Sequence, residues 1–290
     1  MASLRLAASW ALLFLWASSS VLAFSVPNPS NNFTCQPTQS ASGSDPIVLL
    51  HGLGATYYED INELESWLKG KGFCTFSLTY GANQGFPNVG GIIHIADSAL
   101  EIGAFIQQVS GSAAGAGKKV TLIGHSEGGF QALYVPKFVN GISSLVGMII
   151  SMAPPTHGTS LSGFLRPDLL LGSLAVTLFD TVVELVGCQA CSDLVDGGQA
   201  VGALDNGPIV QPGNTVTIIA STHDELVTPP DTSFIHEPDV TNLFIQTLCP
   251  HDPVGHIGEA YDQGVWNIIL NALNGNPTAP VQCSQGIPYK

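Results

Sequence analysis

The sequence contains few charged residues, and positive ones are especially scarce. Only 10% of its 290 residues are charged, and 8 lysines and arginines stand against 22 aspartates and glutamates, for a formal net charge of −14. This excess of negative charge repels phosphate backbones and anionic lipid headgroups. We therefore expect no nucleic-acid partner, and any contact with lipid must come from apolar surface rather than from basic residues.

Beyond its N-terminus the chain also lacks an apolar run of the roughly 20 residues that a transmembrane helix needs. The best candidate, residues 169–186, is interrupted by Gly172, Asp180 and Glu184. Internal repeats are absent as well, although the chain holds 32 glycines and 19 prolines. With 45% hydrophobic residues, the sequence can bury a large core, which excludes a disordered or fibrous protein.

Residues 1–23 have the pattern of a secretory signal peptide. One early cation precedes a short apolar stretch, and small residues lead to Ala23. This order of charge, apolar core and small residues predicts cleavage after Ala23 and secretion. The remaining residues, 24–290, are predicted to form one domain, which we expect to be a monomer. Asn32 begins an Asn-Phe-Thr sequon near the mature N-terminus, so we predict an exposed glycosylation site there.

Six cysteines follow the signal peptide, an even number that indicates disulfides in a secreted protein. They are Cys35, Cys74, Cys188, Cys191, Cys249 and Cys283. Six cysteines allow about 15 pairings, so the spacing alone leaves the connectivity open. The CxxC sequence at 188–191 has no second CxxC or histidine pair to complete a zinc site, which favours a local disulfide.

Short apolar runs rich in β-branched residues alternate with longer segments of helical periodicity. We predict strands at 46–50, 73–79, 119–123, 146–152, 215–220 and 241–246, and helices at 58–70, 92–109, 126–139 and 257–273. This alternation predicts an α/β fold with a mostly parallel sheet covered by helices on both faces. Residues 154–214 interrupt it with a long apolar segment. We interpret that segment either as extra helices on the core or as a mobile cap over a pocket.

The sequence Gly-His-Ser-Glu-Gly at 124–128 lies where a predicted strand meets a predicted helix. This is the context of a nucleophile elbow, in which a serine is held at the carboxyl end of a strand. In so tight a turn, a side chain at Gly124 or Gly128 would clash with the backbone. We therefore predict Ser126 as a nucleophile, with the helix N-terminus stabilising a developing oxyanion.

A second glycine-containing sequence, His-Gly-Leu-Gly at 51–54, follows the first apolar strand directly. Glycines at this position let the backbone approach a substrate closely. The backbone N–H groups of Leu53 and Glu127 are the predicted oxyanion donors. His51 precedes the nucleophile in the chain, and we expect it to have a packing role.

A serine hydroxyl needs a base, and the base needs an acid to orient it. Asp224 lies just past the strand at 215–220, with Glu225 as its rival. His256 begins the last predicted helix, and His251 is the alternative nearer to the preceding strand. The chain order of nucleophile, acid and base favours Asp224 and His256.

With these motifs in place, the chain resembles the secreted triacylglycerol lipases of the class 2 lipase family, which are α/β-hydrolases. The matching segments are 46–52, 72–81, 124–129, 153–159, 224–229, 242–250 and 256–262. The resemblance implies Ser126 as nucleophile, Asp224 as acid and His256 as base, with no cofactor and no metal. It also implies the disulfides Cys35–Cys74, Cys188–Cys191 and Cys249–Cys283.

Glu127 departs from this resemblance, because many relatives carry Gln or Met at the position after the nucleophile. We expect its carboxylate to add negative charge beside the site. The expected reaction is acyl transfer from lipid esters, such as acylglycerols at an oil–water interface. A soluble carboxylesterase or polyester hydrolase is the nearest alternative, followed by an acyltransferase or serine peptidase. A non-catalytic, secreted lipid-binding relative is the alternative of another class.

Overall fold

The computed structural model describes residues 24–83, 85–160 and 187–287. The predicted signal peptide and residues 161–186 of the predicted cap lie outside this part of the chain, and both stay predictions. Within it, no helix is long and apolar enough to cross a membrane.

The described residues form a seven-stranded sheet in the order β1-β3-β2-β4-β5-β6-β7. The strands are β1 (Phe24–Pro27), β2 (Ile47–Leu50), β3 (Thr75–Ala82), β4 (Val120–His125), β5 (Val146–Met152), β6 (Thr215–Ala220) and β7 (Val240–Phe244). Strands β2 to β7 pair in parallel, and β1 is antiparallel to β3 at one edge. The predicted mostly parallel α/β architecture is therefore confirmed.

The helices of the described residues lie between these strands and after them. They are α1 (Asn62–Gly70), α2 (Ile95–Ser110), α3 (Glu127–Phe138), α4 (Gln189–Asp193), α5 (Gln199–Asp205), α6 (Ile245–Leu248) and α7 (Gln263–Leu273). Short 3₁₀ helices occur at Gln39–Ala41, Pro230–Ser233 and Ile257–Ala260.

Several predicted elements have different bounds in the structure, among them the strand predicted at 73–79, which is Thr75–Ala82, and the helix predicted at 92–109, which is Ile95–Ser110. The helix predicted at 58–70 begins only at Asn62. The strand predicted at 241–246 ends at Phe244, because α6 follows it immediately. The helix predicted at 257–273 is divided, since the Asp262 side chain accepts a hydrogen bond from the Val265 N–H and starts α7 as a new helix.

Strand β1 was missed by the sequence analysis. Its four residues include Pro27 and are too few to show a period, so nothing in them predicts a strand. Strand β1 forms because it pairs with β3, a contact that the local sequence does not predict. Pro27 is tolerated because β1 is an edge strand, which needs fewer backbone N–H donors.

Two hydrophobic cores cover the two faces of the sheet. Val48 and Leu50 of β2 point into one core, together with apolar residues of α2 and α3. Ile47 and Leu49 point into the other core, together with residues of α1 and α7. The continuous apolar run of β2 is thus explained by burial on both faces.

The six cysteines, all within the described residues, form three disulfides. They are Cys35–Cys74, Cys188–Cys191 and Cys249–Cys283, the pairs that the family resemblance implies. The first joins the N-terminal segment to the chain just before β3, and the third joins the chain after α6 to the C-terminal segment.

The described ends of the interruption at 154–214 are anchored near the carboxyl edge of the sheet. On the N-terminal side of residues 161–186, the Thr159 hydroxyl donates to the Leu226 carbonyl at 2.7 Å. On their C-terminal side, the Gln189 N–H donates to the Ile92 carbonyl at 2.8 Å. The described part of this interruption contains α4 and α5 and adds no strand to the sheet.

Candidate active site

The predicted site residues come from four segments that leave the sheet at its carboxyl edge. Ser126 follows β4, Asp224 follows β6, and His256 lies in the chain after β7 and α6. Residues 51–54 follow β2. In open α/β sheets, ligands bind at this edge, beyond the carboxyl ends of the strands.

The structure brings Ser126, His256 and Asp224 into one hydrogen-bonded chain. His256 Nε2 lies 2.8 Å from Ser126 Oγ, and His256 Nδ1 lies 2.8 Å from Asp224 Oδ2. Nδ1 can therefore donate to the carboxylate while Nε2 accepts from the hydroxyl. This arrangement can remove a proton from Ser126 and stabilise the imidazolium that results.

Asp224 is fixed on its other side by the backbone. Its Oδ1 accepts hydrogen bonds from the N–H groups of Leu226 and Val227, both at 2.8 Å. Asp224 and His256 are also almost completely buried, at 6% and 3% exposure. Burial and hydrogen bonding leave the imidazole ring little freedom to turn away from Ser126.

Ser126 has a strained backbone, with φ 55° and ψ −121°. A positive φ is unfavourable for a residue with a side chain and is tolerated where the surroundings enforce it. The two elbow glycines permit this turn. A Cβ added to Gly124 would lie 2.1 Å from the Gly128 carbonyl oxygen, and one added to Gly128 would lie 2.2 Å from the Leu50 carbonyl oxygen.

The two predicted oxyanion donors lie in the elbow or next to it. Glu127 is the first residue of α3, so its N–H has no partner within the helix. The N–H groups of Leu53 and Glu127 make no backbone hydrogen bond within the described part of the chain. A Cβ on Gly52, the neighbour of Leu53, would lie 3.2 Å from Ser126 Cβ, so both segments are adjacent to Ser126.

The rival acid and base occupy other places. Glu225 Oε2 accepts from the backbone N–H of His256 at 3.2 Å, so it contacts the main chain of that residue and not its ring nitrogens. Burial raises the pKa of Glu225. His251 is exposed, and the hydrogen bonds to Ser126 and Asp224 are made by His256.

His51 packs in the interior, as expected. Its ring stacks on Tyr80 with centroids 4.2 Å apart, and its Nε2 accepts from the Tyr80 N–H at 3.2 Å. Its Nδ1 donates to the Gly52 carbonyl at 2.8 Å. Burial lowers the pKa of His51 to about 4, so the ring is neutral and shapes the loop that carries Leu53.

Burial argues against the expectation that Glu127 adds negative charge beside the site. Its side chain is completely buried. Burial, with a smaller contribution from the charge of Asp193, raises the pKa of Glu127 well above its ordinary 4.5. The side chain is therefore favoured as an uncharged acid.

A second buried acid, Glu259, lies close to Asp224. Its Oε1 accepts from the Ser221 N–H at 2.9 Å. Burial, followed by the charge of Asp224, raises the pKa of Glu259 well above 4.5.

Sequence reasoning missed a buried pair, Asp60 and His125, whose contacts reach three of the site's segments. His125 stands in the elbow motif itself and could have been singled out as an ionisable residue beside the nucleophile. Asp60 lies in a loop and carries no local signal, because its position becomes informative only through contacts distant in sequence.

Groups of three or more histidine, cysteine or acidic residues arranged to hold a metal ion do not occur in the described residues.

Comparisons with known proteins agree with this architecture. A family model described as "Alpha/beta hydrolase family" matches residues 47–265. No curated protein sequence matches the chain.

Among solved structures, Aspergillus fumigatus lipase B is similar with a TM-score of 0.63 and 18% identity, over 88% of this chain and 57% of that one. The non-heme bromoperoxidase BpoC from Mycobacterium tuberculosis H37Rv has a TM-score of 0.52 and 15% identity, over 89% and 97% of the two chains. The alpha/beta hydrolase GrgF from Penicillium sp. sh18 has a TM-score of 0.51 and 15% identity, over 89% and 99%. The chain thus spans little more than half of the lipase, and at these identities the likeness concerns the fold.

Proposed function

The chain belongs to the alpha/beta hydrolase family, and on that basis we propose that it is a serine hydrolase that cleaves carboxylic esters of lipids. The observation that carries this proposal is the chain of two 2.8 Å contacts from Ser126 through His256 to Asp224. Three residues that lie far apart in sequence meet in the order that nucleophilic catalysis on an acyl group requires.

In the first step, Ser126 Oγ attacks the ester carbonyl carbon while its proton moves to His256 Nε2. The charge that develops on the carbonyl oxygen is held by the N–H groups of Leu53 and Glu127, each contributing about 3–4 kcal/mol. The bond to the alcohol oxygen then breaks, and that oxygen takes the proton from His256. The acyl group remains on Ser126.

In the second step, water replaces the alcohol. His256 Nε2 accepts a proton from the water, whose oxygen attacks the acyl carbon. The bond to Ser126 Oγ breaks, Oγ recovers the proton from His256, and the carboxylic acid leaves. Asp224 accepts the hydrogen bond from His256 Nδ1 and supports the imidazolium in both steps.

The lipid character of the substrate is supported by the resemblance to class 2 lipases and by the apolar sequence of residues 161–186. The likeness in fold to a fungal lipase agrees with it. We propose acylglycerols or other esters with extended acyl chains, bound at an oil–water interface. A soluble carboxylesterase or polyester hydrolase would use the same three residues.

Secretion belongs to the same proposal. Three disulfides are typical of proteins that fold in an oxidising compartment. Asn32 is exposed and its Oδ1 accepts from the Thr34 hydroxyl at 2.8 Å, which supports an accessible glycosylation site. N-terminal sequencing and glycosidase treatment of the exported protein would test cleavage after Ala23 and occupancy of Asn32.

Replacing Ser126 tests the nucleophile. Ser126→Ala should lower kcat/KM on a p-nitrophenyl ester by at least about 10⁴-fold, because no hydroxyl remains to form the acyl-enzyme. Its thermal unfolding midpoint should stay near that of the wild type. A fluorophosphonate should label the wild type and leave the variant unlabelled. Ester hydrolysis at the wild-type rate by the variant would rule out the assignment.

Substrate physical state separates lipase from esterase. We expect the rate on a triglyceride to rise when the substrate passes from dissolved monomers to an emulsion. The control is a short, fully soluble p-nitrophenyl ester measured with the same preparation. A rate that saturates on monomers and gains nothing from the emulsion would favour the soluble carboxylesterase.

A further inference from the structure

Asp60 and His125 form a buried ion pair outside the hydrogen-bonded chain of Ser126, His256 and Asp224. His125 Nδ1 lies 2.9 Å from Asp60 Oδ1 and 3.1 Å from Asp60 Oδ2. Both residues are almost completely buried. The mechanism described above assigns neither of them a step.

Each member of this pair also bonds to a different segment of the site. Asp60 Oδ2 accepts from the Gly52 N–H at 2.6 Å, next to the proposed oxyanion donor Leu53. His125 Nε2 donates to the backbone carbonyl of His256 at 2.9 Å. Because His125 precedes Ser126 in the chain, one pair of side chains connects the nucleophile, the oxyanion loop and the proposed base.

The contacts of His125 require a proton on both ring nitrogens. Nδ1 faces a carboxylate and Nε2 faces a carbonyl oxygen, and neither acceptor can supply a hydrogen. Burial alone would lower the pKa of His125, but the charge and hydrogen bond of Asp60, with the His256 carbonyl, raise it. The pair is thus an imidazolium with a carboxylate, and both of its hydrogen bonds are charge-assisted.

We propose that Asp60 and His125 are positioning residues for ester hydrolysis. They hold the main chain of His256 and the loop of Leu53 in place relative to Ser126. This inference rests on the proposed function. Displacing a reacting group by about 1 Å can cost roughly 100-fold in rate. The rings of His125 and His256 lie only 5.1 Å apart between centroids, so a shift of one is passed directly to the other.

The test must separate positioning from simple stabilisation. Removing one member leaves a buried charge without a partner, which destabilises any protein. The double variant D60L/H125F replaces the pair by apolar groups of similar size and leaves no such charge. We expect it to fold with a lowered thermal midpoint, because the Gly52 N–H and the His256 carbonyl lose their partners. Its kcat per active site should fall about 10- to 100-fold, with KM changed by less than about 2-fold.

Asp60→Asn is the matched conservative variant. Its amide oxygen can accept from the Gly52 N–H, and its amide nitrogen can donate to Nδ1 of a neutral His125, which keeps Nε2–H for the His256 carbonyl. We expect kcat within about 5-fold of the wild type, because the geometry survives without the charge. All rates are divided by the active-site concentration from fluorophosphonate titration, so that unfolded protein does not count.

Two results would overturn the inference. A folded D60L/H125F with the kcat of the wild type would show that the pair has no positioning role. An Asp60→Asn variant that folds but loses as much kcat as D60L/H125F would show that hydrogen-bond geometry is not what the pair supplies. If Ser126→Ala retains ester hydrolysis, the proposed function itself fails, and the positioning role fails with it.

Discussion

Glu127 follows Ser126 directly, yet its carboxyl group is completely buried against Gly91. A Cβ built on Gly91 would lie 2.2 Å from Glu127 Oε2, which shows how closely the backbone encloses the acid. Sequence alone suggests a charge at this position, because it cannot show whether a side chain next to a motif points outward or inward. Because the Glu127 carboxyl group is buried away from the solvent that would stabilise its charged form, the neutral acid is favoured.

This burial makes the stability of the protein depend on pH. The folded-state pKa of Glu127 is raised, so its stabilising contribution is full below the unfolded pKa of about 4.5 and is lost as pH rises toward the folded value. In Glu127→Gln the side chain cannot ionise. We expect the variant to gain stability relative to the wild type as pH rises above about 4.5, by up to roughly 1.4 kcal/mol per pH unit.

Urea unfolding at several pH values measures this difference. Glu259→Gln should show the same trend, since burial raises the pKa of Glu259 as well. A difference between variant and wild type that stays constant over this range would mean that Glu127 is already ionised in the folded protein.

Among single residues, the ones that sequence could predict carry their signal in a local motif. Ser126 and its glycines stand in a recognisable elbow, and Asp224 and His256 follow strands in the expected order. Asp60 has no such signal, because the contact that gives it meaning spans 65 residues of sequence. Long-range pairing of this kind is set by topology, and a local pattern does not contain it.

At the scale of secondary-structure elements, the turn from β4 to α3 determines where Ser126 lies. Ser126 has a positive φ, and a Cβ added to either elbow glycine would clash with other backbone atoms. A backbone clash of this kind cannot be relieved by moving a flexible side chain. The elements on either side would have to separate, and the hydroxyl would move with them.

We therefore expect Gly124→Ala to remove at least about 100-fold of kcat/KM, because an added methyl group meets the Gly128 carbonyl and displaces Ser126. Gly202→Ala is the matched control. Gly202 lies within α5 and has no atom within 4 Å of an added Cβ, so alanine should leave stability unchanged or raise it by up to about 1 kcal/mol. Equal activity of the two variants would contradict the role given to the turn.

The elements that periodicity predicted well are those with long, regular patterns. Helix α2 and strands β5 and β6 agree closely with their predicted ranges, since each repeats its apolar residues over several turns or strand positions. Strand β1 and the break before α7 were missed for opposite reasons. Strand β1 depends on pairing with β3, which is distant in sequence. The break before α7 depends on the N-cap that the Asp262 side chain supplies.

At the scale of the whole molecule, two of the three disulfides join the N-terminal and C-terminal segments to the rest of the fold, and the third is local. Cys35–Cys74 spans 39 residues and Cys249–Cys283 spans 34, whereas Cys188–Cys191 spans only 3. Because a cross-link restricts the unfolded chain more when it closes a longer loop, the three bonds should differ in their contributions.

Replacing both cysteines of one bond by alanine measures this difference. C35A/C74A should lower the free energy of unfolding by about 4 kcal/mol, and C188A/C191A by only about 1–2 kcal/mol. Chemical denaturation of the two variants under non-reducing conditions would give both values. A larger loss in C188A/C191A would show that the short bond acts mainly on the folded structure near residue 188.

The hydrogen bond between His256 and Ser126 joins residues 130 positions apart. It can form only after β4, β5, β6 and β7 have all taken their places side by side. Contacts of such long range appear late in folding, because the entropy of closing the intervening chain must first be overcome. Recovery of turnover after dilution from denaturant should therefore lag behind recovery of helical circular dichroism, which makes the reaction itself a probe of complete assembly.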